Sequence, residues 1–230
     1  LRLRPRLVSR ESLRAPPPMA SIGHYGRMSV FDDKAAEWDT PERRERAHAL
    51  ADTFRRYVPL SPEMRVLDIG AGTGLLGLDL LADVGSVVLT DPSEGMVEVA
   101  RTKIEAEGIV DAEAIVFDFP ADEPPPGAPF DLAVSLLVLH HVEDTAATLH
   151  SIAAALAPGG RIGLMDLDKE DGSFHDPDQP GIHHHGFEGG RLVRLATEAG
   201  FEDVAVRNIH EVERNDRRYP LFLLTGRKAS

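Results

Sequence analysis

The sequence contains no cysteine, and this absence excludes several kinds of chemistry together. Disulfide bonds, thiolate ligands for a metal ion and a cysteine nucleophile all require a residue that the chain does not have. A chain without cysteine also suits a reducing compartment, where disulfides rarely form. We therefore predict a cytoplasmic location.

Long apolar runs and a surplus of positive charge are missing as well. No stretch approaches the roughly 18 consecutive apolar residues that a membrane-spanning helix needs, so no such helix is predicted. The formal net charge is −13, which is a poor match for a polyanion, and nucleic acid is not expected as a partner. The 230 residues, of which 42% are apolar, suffice for a domain with a substantial core.

The first 28 residues differ in composition from the rest. They contain many arginines, a single acid and a run of three prolines, without an apolar period, so we predict a disordered N-terminal extension over residues 1–28 and one folded domain over 29–230. An Arg-rich, acid-poor segment is also typical of an organelle transit peptide. We favour a translated upstream extension instead, with Met19 or Met28 as the true start.

Segments with the apolar pattern of strands alternate with helical segments after residue 29. The predicted strands are 65–69, 86–91, 113–118, 130–139, 161–168, 204–212 and 219–227. The predicted helices are 41–57, 74–83, 93–107, one from 144 or 145 up to 158, and 188–199. Such alternation with short connections predicts an α/β protein with a doubly wound, mostly parallel sheet and helices on both faces. Ligands of such sheets bind outside the carboxyl ends of the strands.

The stretch VLDIGAGTG, residues 66–74, places three glycines directly behind the first strand. A sharp turn of this kind exposes backbone N–H groups that bind an anion such as a carboxylate or a phosphate. Asp68, on the strand before the turn, would repel a phosphate but attract an ammonium group, and a ligand with both charges is an amino acid. Asp91 ends the next strand, where an acid binds a ribose hydroxyl pair. An amino acid joined to a nucleoside is S-adenosylmethionine.

The glycines also fit a second interpretation. Starting at Gly72 they spell G-x-G-x-x-G, with Asp91 nineteen residues further on, which is the dinucleotide-binding pattern. If the pattern starts at Gly72, the strand has to continue past Ile69, although the apolar run stops there. If it starts at Gly70, the third glycine position is occupied by Leu75 and the pattern fails. A nicotinamide-dependent oxidoreductase therefore stays an alternative. A non-catalytic regulatory protein that binds S-adenosylmethionine is another, because cofactor residues do not report turnover.

Five segments occur in order along the chain: VLDIGAGTG (66–74), TDPSEGM (90–96), FDF (117–119), DLAVSLLVLHHVED (131–144) and LAPGGRIGLMD (156–166). Together they resemble the class I S-adenosylmethionine-dependent methyltransferases, and most closely the UbiE-like small-molecule branch. The resemblance implies a Rossmann-like methyltransferase fold, with a seven-stranded sheet whose last strand is antiparallel. It also implies transfer of a methyl group from S-adenosylmethionine to a small-molecule acceptor.

The resemblance assigns cofactor contacts to twelve positions in the glycine turn and at the strand ends. They are Asp68 for the methionine ammonium, Gly70, Ala71, Gly72 and Gly74 for the backbone cradle, Asp91 with Pro92 for the ribose, Met96 against the adenine, Asp118 and the Phe119 backbone for the adenine amino group, and Ser135 and Leu136 near the sulfonium.

A catalytic base is needed only when the acceptor must lose a proton, and histidine is the usual base near neutral pH. His140 and His141 follow the predicted central strand, so one of them should face the cleft. We favour His141, because the family's similar LHHV segment has a histidine near the cofactor. The alternative is a structural histidine bonded to a loop carbonyl.

Three consecutive histidines, residues 183–185, lie in the loop that leaves the carboxyl end of the fifth strand. We predict that this loop forms a polar lid or part of the acceptor pocket, with His184 as a second candidate catalytic residue. Only His183 and His185 share a face of an extended segment, and we predict no metal site. Further upstream, Phe31 and Trp38 are candidates to pack over the cleft.

Overall fold

The computed structural model describes residues 31–177, 179–214 and 216–230. The predicted disordered extension, residues 1–28, lies outside the described residues, and so does the predicted start of the domain at residue 29. No helix in the described part of the chain is long and apolar enough to cross a membrane.

Strands and helices alternate along the described chain. Its strands are β1 (Arg65–Ile69), β2 (Ser86–Asp91), β3 (Ala112–Val116), β4 (Phe130–Leu136), β5 (Leu156–Leu167), β6 (Phe201–Arg214) and β7 (Arg217–Lys228). Its α-helices are α1 (Pro41–Tyr57), α2 (Leu75–Leu80), α3 (Glu94–Glu107), α4 (Thr145–Ala155) and α5 (Gly189–Glu198). Short 3-10 helices precede α1, at Asp32–Glu37, and follow β4, at Leu139–His141.

The strands form a seven-stranded sheet in the order β3-β2-β1-β4-β5-β7-β6. β1 to β5 pair in parallel, and β7 is antiparallel to both β5 and β6. The predicted mostly parallel sheet with an antiparallel last strand is therefore confirmed. The chain leaves β1 towards β2 and β3 and returns to β4 on the other side of β1, which creates a switch point at the carboxyl ends of β1 and β4.

Helices cover both faces of the sheet, as predicted. On one face α1, α2 and α3 pack on strand residues such as Val66, and on the other face α4 and α5 pack on residues such as Leu67 and Ile69. Because successive strand side chains point to opposite faces, Asp68 shares the face of Val66. Its carboxyl group is therefore directed towards α2.

Side chains cap the N-termini of three helices. The Thr40 side chain accepts a hydrogen bond from Arg43 N before α1. The Ser93 side chain does the same before α3, and Asp144 before α4. A capping side chain satisfies an N–H group that has no partner within the helix, so these residues fix where the helices start at the ligand-binding edge of the sheet.

β4 is shorter than predicted, and the difference reshapes the site. The apolar run 130–139 predicts one strand, but β4 ends at Leu136. Leu137 has a φ of 58°, in the left-handed region that ends extended structure, and the chain then turns into the 3-10 helix that holds His140 and His141.

Other boundaries shift by a few residues. α2 covers six residues rather than the predicted 74–83. β3 begins at Ala112 and ends at Val116, so Asp118 follows the strand instead of ending it. α4 ends at Ala155 and β5 begins at once with Leu156, which pairs with Phe130 of β4. This early pairing explains why the strand starts before the predicted residue 161.

Candidate active site

A cavity of about 630 Å³ lies at the carboxyl ends of β1, β2 and β4. Its volume is in the range of small-molecule binding sites. The walls combine the glycine turn after β1, the ends of β2 and β4, the start of α1, the loop after β5 and the end of β6. The cavity therefore occupies the switch point at which the sheet topology predicts a ligand.

The glycine turn begins where the sequence predicts, directly after Ile69. Gly70, Gly72 and Gly74 have φ values of 61°, 56° and 83°, which other residues rarely adopt. The N–H of Gly72 donates to Asp91 Oδ2 at 2.8 Å, which ties this turn to the end of β2. Gly70, Ala71 and Gly72 line the cavity, and Gly74 instead precedes the first residue of α2.

Replacing Gly70 with alanine is expected to lower the free energy of unfolding by about 1–3 kcal/mol. The added Cβ would lie 2.6 Å from both γ carbons of Val138, in a residue with φ of +61°. Urea unfolding measures the change. Gly190→Ala is the matched control, because a Cβ there meets nothing within 4 Å. Equal stability of the two variants would contradict this account of the turn.

Asp68 lines the cavity and is only 1% exposed. Its Oδ2 accepts a hydrogen bond from Gly77 N at 2.9 Å, and its Oδ1 has no hydrogen-bond partner among the described residues. Burial raises the pKa of this carboxyl to about 8, against the lowering effect of the Gly77 hydrogen bond and with a further rise from Asp91. The cavity therefore contains a buried acid to which the described residues supply no cationic partner.

Asp91 joins two turns beside the same cavity. Its Oδ1 accepts from Ser93 N at 2.8 Å, and its Oδ2 accepts from Gly72 N. Burial raises its pKa to about 6, with further contributions from Asp118 and Asp32. Because a carboxylate oxygen accepts more than one hydrogen bond, Asp91 keeps acceptor capacity for a hydroxyl pair.

The other predicted cofactor residues divide into two groups. Pro92, Met96 and Leu136 line the cavity with the residues already described. The described lining does not include Gly74, Asp118, Phe119 and Ser135. Asp118 is exposed, but it is near enough to Asp91 to raise the pKa of Asp91. Phe119 packs on Phe117, with ring centroids 4.9 Å apart. Ser135 is buried within β4.

The predicted aromatic cover lies over the glycine turn. Phe31 and Trp38 line the cavity, and their ring centroids are 5.7 Å apart. Trp38 Nε1 is 3.7 Å from the position that a Cβ on Gly72 would occupy. The Arg43 guanidinium lies 4.1 Å from the Trp38 ring centroid and donates to Trp38 O at 2.9 Å.

A buried histidine and aspartate form a pair that the sequence reasoning missed. His140 lines the cavity, and its Nδ1 lies 2.7 Å from Asp166 Oδ1, with the two side chains 2% and 0% exposed. Burial alone would raise the pKa of Asp166, but the nearby His140 and hydrogen bonds lower it overall. The carboxylate accepts from Nδ1–H of His140, and the other ring nitrogen, Nε2, has no hydrogen-bond partner among the described residues.

Both His140 and His141 line the cavity, where the sequence predicts one of them. The Nδ1–H of His141 donates to Gly181 O at 2.7 Å. Burial, followed by the effect of His140, lowers the pKa of His141 to about 4. The ring centroids of His175 and His140 are 5.0 Å apart. Burial, followed by the effect of His140, lowers the pKa of His175 to about 4 as well. Both rings are neutral at pH 7 and are weak bases.

His184 lies away from the cavity wall. The described lining does not include it, and its Nε2 is 3.2 Å from Thr145 Oγ1. The backbone N–H groups of His183 and His184 both donate to His140 O. The three-histidine loop therefore stabilises the position of the His140 backbone. Among the described residues, no group of three or more His, Asp or Glu side chains is arranged to hold a metal ion.

Comparison with known proteins gives a family match over most of the chain. The family model described as a methyltransferase domain matches residues 43–206. The ubiquinone/menaquinone biosynthesis C-methyltransferase UbiE of Shewanella sp. (strain W3-18-1) is 36% identical over 47% of this chain and 44% of its own length. The chain therefore spans less than half the length of that relative.

Two further matches are longer. An O-methyltransferase of Pyrenophora dematioidea is 33% identical over 71% of this chain and 66% of its own length. The structure of Haemonchus contortus phosphoethanolamine N-methyltransferase 2 in complex with S-adenosyl-L-methionine has a TM-score of 0.66, with 20% identity over 79% of this chain and 52% of that one. At this identity the structural match shows a shared fold.

Proposed function

The chain belongs to the class I S-adenosylmethionine-dependent methyltransferases, and from that premise we propose that it transfers a methyl group from S-adenosylmethionine to a hydroxyl group of a small-molecule acceptor. The observation that carries the proposal is Asp68, buried beside the glycine turn with one oxygen lacking a partner among the described residues. A bound ammonium group would supply that partner and stabilise the ionised carboxylate. The Haemonchus structure of the same fold was solved with this cofactor, which supports the choice.

The residues around Asp68 fit the rest of the cofactor. In the proposal the bare backbone of Gly70, Ala71 and Gly72 receives the amino-acid end, and Asp91 accepts from the ribose hydroxyls. Pro92, Met96 and Leu136 supply apolar walls. The roles of Gly74, Asp118, Phe119 and Ser135 stay predictions, because the described cavity lining does not include them.

S-adenosylmethionine, when bound, supplies an electrophilic methyl group on a sulfonium, so transfer forms an oxygen–carbon bond, breaks the carbon–sulfur bond and leaves the electron pair on sulfur. The protein positions the two partners and removes the hydroxyl proton. We assign that proton to His140 Nε2, because Asp166 holds the opposite ring nitrogen at 2.7 Å and stabilises the imidazolium that forms. His141 is a weak base at neutral pH, because burial lowers its pKa to about 4.

A small acceptor agrees with the size of the cavity, about 630 Å³, and with its cover of Phe31 and Trp38. The names of two of the matches mention small molecules, ubiquinone/menaquinone and phosphoethanolamine. Of the two curated relatives described above, the Pyrenophora O-methyltransferase matches 71% of this chain and the C-methyltransferase UbiE 47%, which supports oxygen as the methylated atom. Family membership disfavours the oxidoreductase alternative. The absence of a nucleic-acid partner, the cytoplasmic location and a single domain over 29–230 stay predictions.

Replacing Asp91 with alanine is expected to weaken S-adenosylmethionine binding by about 10–100-fold, the effect of losing hydrogen bonds to a charged group. The variant also loses the tie between Gly72 N and the end of β2. Calorimetric titration measures the affinity. Asp122→Ala, at an exposed position in the loop before β4, is the control that keeps wild-type affinity. An unchanged affinity in Asp91→Ala would remove Asp91 from the site.

Turnover itself is tested by incubating the protein with S-adenosylmethionine and a panel of small hydroxylated molecules. Formation of S-adenosylhomocysteine that depends on one of these molecules supports the enzyme. Tight cofactor binding without product from any hydroxylated molecule favours the non-catalytic regulatory alternative.

A further inference from the structure

Arg46, the sixth residue of α1, lies half-buried in the cavity wall. Its guanidinium forms no hydrogen bond or ion pair within the part of the chain that the structure describes. Burial lowers its pKa, and the nearby Arg43 and Arg214 lower it further. No carboxylate of the described residues therefore neutralises this cation, and an unneutralised charge is costly when it is partly buried.

The two neighbouring arginines have other partners. Arg43 is held by the ring and the carbonyl of Trp38. The Arg214 guanidinium, at the end of β6, lies 5.3 Å from the Phe174 ring centroid. Its Nη2 is 4.0 Å from Oδ2 of Asp176, whose side chain is 78% exposed. Arg46 is thus flanked by two cations.

The two glutamates of the same cavity wall, on α1 and at the end of β6, do not change this balance. Glu42 is exposed at the start of α1, where a hydrogen bond with its own backbone, followed by one with the Thr40 side chain, lowers its pKa. Glu213 is exposed and pairs with Arg218 at 3.1 Å. Both carboxylates are at the solvent-facing rim, and neither contributes to the charges that act on Arg46.

We propose that Arg46, assisted by Arg214, binds an anionic group, a carboxylate or a phosphate, on the methyl acceptor. The inference rests on the proposed function, which assigns Asp68 and Asp91 at β1 and β2 to the cofactor. Arg214 belongs to β6, which lies beyond β4, β5 and β7 in the sheet, and Phe174 and His175 belong to the loop after β5. A planar guanidinium with five donors suits both anions.

The position also explains how the acceptor would be oriented. His140 lines the same cavity as Arg46, so an acceptor fixed by its anionic group at Arg46 presents another part of the molecule to the histidine. Neutral molecules of the same shape lose this anchor and leave the cation unpaired. The site therefore selects acceptors that contain both a hydroxyl group and an acidic group.

The test uses benzoate and benzamide, which differ mainly in charge, together with inorganic phosphate. Trp38 is the only tryptophan of the chain and lines the cavity, so its fluorescence reports binding to protein loaded with S-adenosylhomocysteine. We expect wild-type protein to bind benzoate at least about tenfold more tightly than benzamide, as a charge-assisted hydrogen bond predicts. In Arg46→Gln the ratio of the benzoate affinity to the benzamide affinity should approach one, and phosphate binding should be lost. The affinity of this variant for S-adenosylmethionine should differ from that of wild type by less than about threefold.

Arg56→Gln is the matched control, because Arg56 is on the same helix but exposed and outside the described cavity lining. It should behave as wild type throughout. If the ratio of the benzoate affinity to the benzamide affinity is the same in wild type and in Arg46→Gln, the proposal is overturned. A large loss of S-adenosylmethionine affinity in Arg46→Gln also overturns it, since the anion would then be the cofactor's own carboxylate. The wild-type cofactor titration tests the proposed function separately.

Discussion

Replacing Asp68 with asparagine is expected to weaken S-adenosylmethionine binding by about 100-fold or more, the effect of removing one partner from a buried ion pair. Asparagine keeps an oxygen for the N–H of Gly77, which Asp68 Oδ2 accepts at 2.9 Å. It loses the charge that would bind the cofactor's ammonium group. The variant therefore separates the binding role of the carboxylate from its role in the fold.

The same variant should leave the ligand-free protein at least as stable as wild type at pH 8. Burial raises the pKa of Asp68 from 3.8 to about 8, so the folded state favours the protonated form. The stabilisation from that proton is fully present below about pH 4 and is lost as the pH rises through about 8. Asparagine resembles the protonated form at every pH, so the stability of Asp68→Asn should lack this decline.

Thermal unfolding at pH 5 and pH 8 and calorimetric titration with the cofactor measure the two effects. Asp131→Asn is the control, because Asp131 accepts from Arg65 N at the opposite end of β1 and lies outside the described cavity lining. It should keep wild-type affinity. Wild-type affinity in Asp68→Asn would show that the ammonium group is held elsewhere.

Replacing His140 with asparagine is expected to lower kcat by about 10²–10⁴-fold, the contribution typical of a general base. The affinity for S-adenosylmethionine should stay close to that of wild type, because the proposed cofactor contacts come from the glycine turn, the end of β2 and Leu136, and not from His140. The loss should shrink as the pH rises, since the acceptor hydroxyl then ionises without help. Initial rates across a pH series, with an acceptor found by product formation, measure both effects.

His141→Asn is the informative comparison, since the two histidines are adjacent and both line the cavity. Because burial holds the pKa of His141 at about 4, its loss should affect kcat much less than the loss of His140. A full rate in His140→Asn together with a large loss in His141→Asn would return the catalytic role to His141. Asp166→Asn should lower kcat in the same direction as His140→Asn, because Asp166 fixes the tautomer of His140.

Sequence patterns predicted the fold, and eight of the twelve predicted cofactor residues line the cavity, for physical reasons. Strand and helix periods, caps such as Thr40 and Ser93, and the glycines of residues 70–74 are local signals, and the structure confirms the elements that they predict. Asp68 stood out because a single acid inside a buried strand is unfavourable without a partner. Asp166, a buried acid within β5, has the same local signal.

The remaining features depend on distant residues. His140 and Asp166 are 26 positions apart in sequence, and they meet because β4 and β5 pair in parallel. The left-handed conformation at Leu137 brings both histidines to the cavity, and an apolar run gives no sign of it. In the sequence, Arg46 is typical of a charged residue on the solvent-exposed face of a helix. It lines the cavity because the end of β6 packs close to α1 in the folded chain.

The central claim is that the buried carboxyl of Asp68 pairs with the ammonium group of S-adenosylmethionine. Calorimetric titration of wild-type protein at pH 7, in two buffers of different ionisation enthalpy, tests it most directly. Because the pKa of Asp68 is about 8 without ligand, the account predicts the release of about one proton for each cofactor molecule bound. Binding without proton release, or no binding at all, would contradict it.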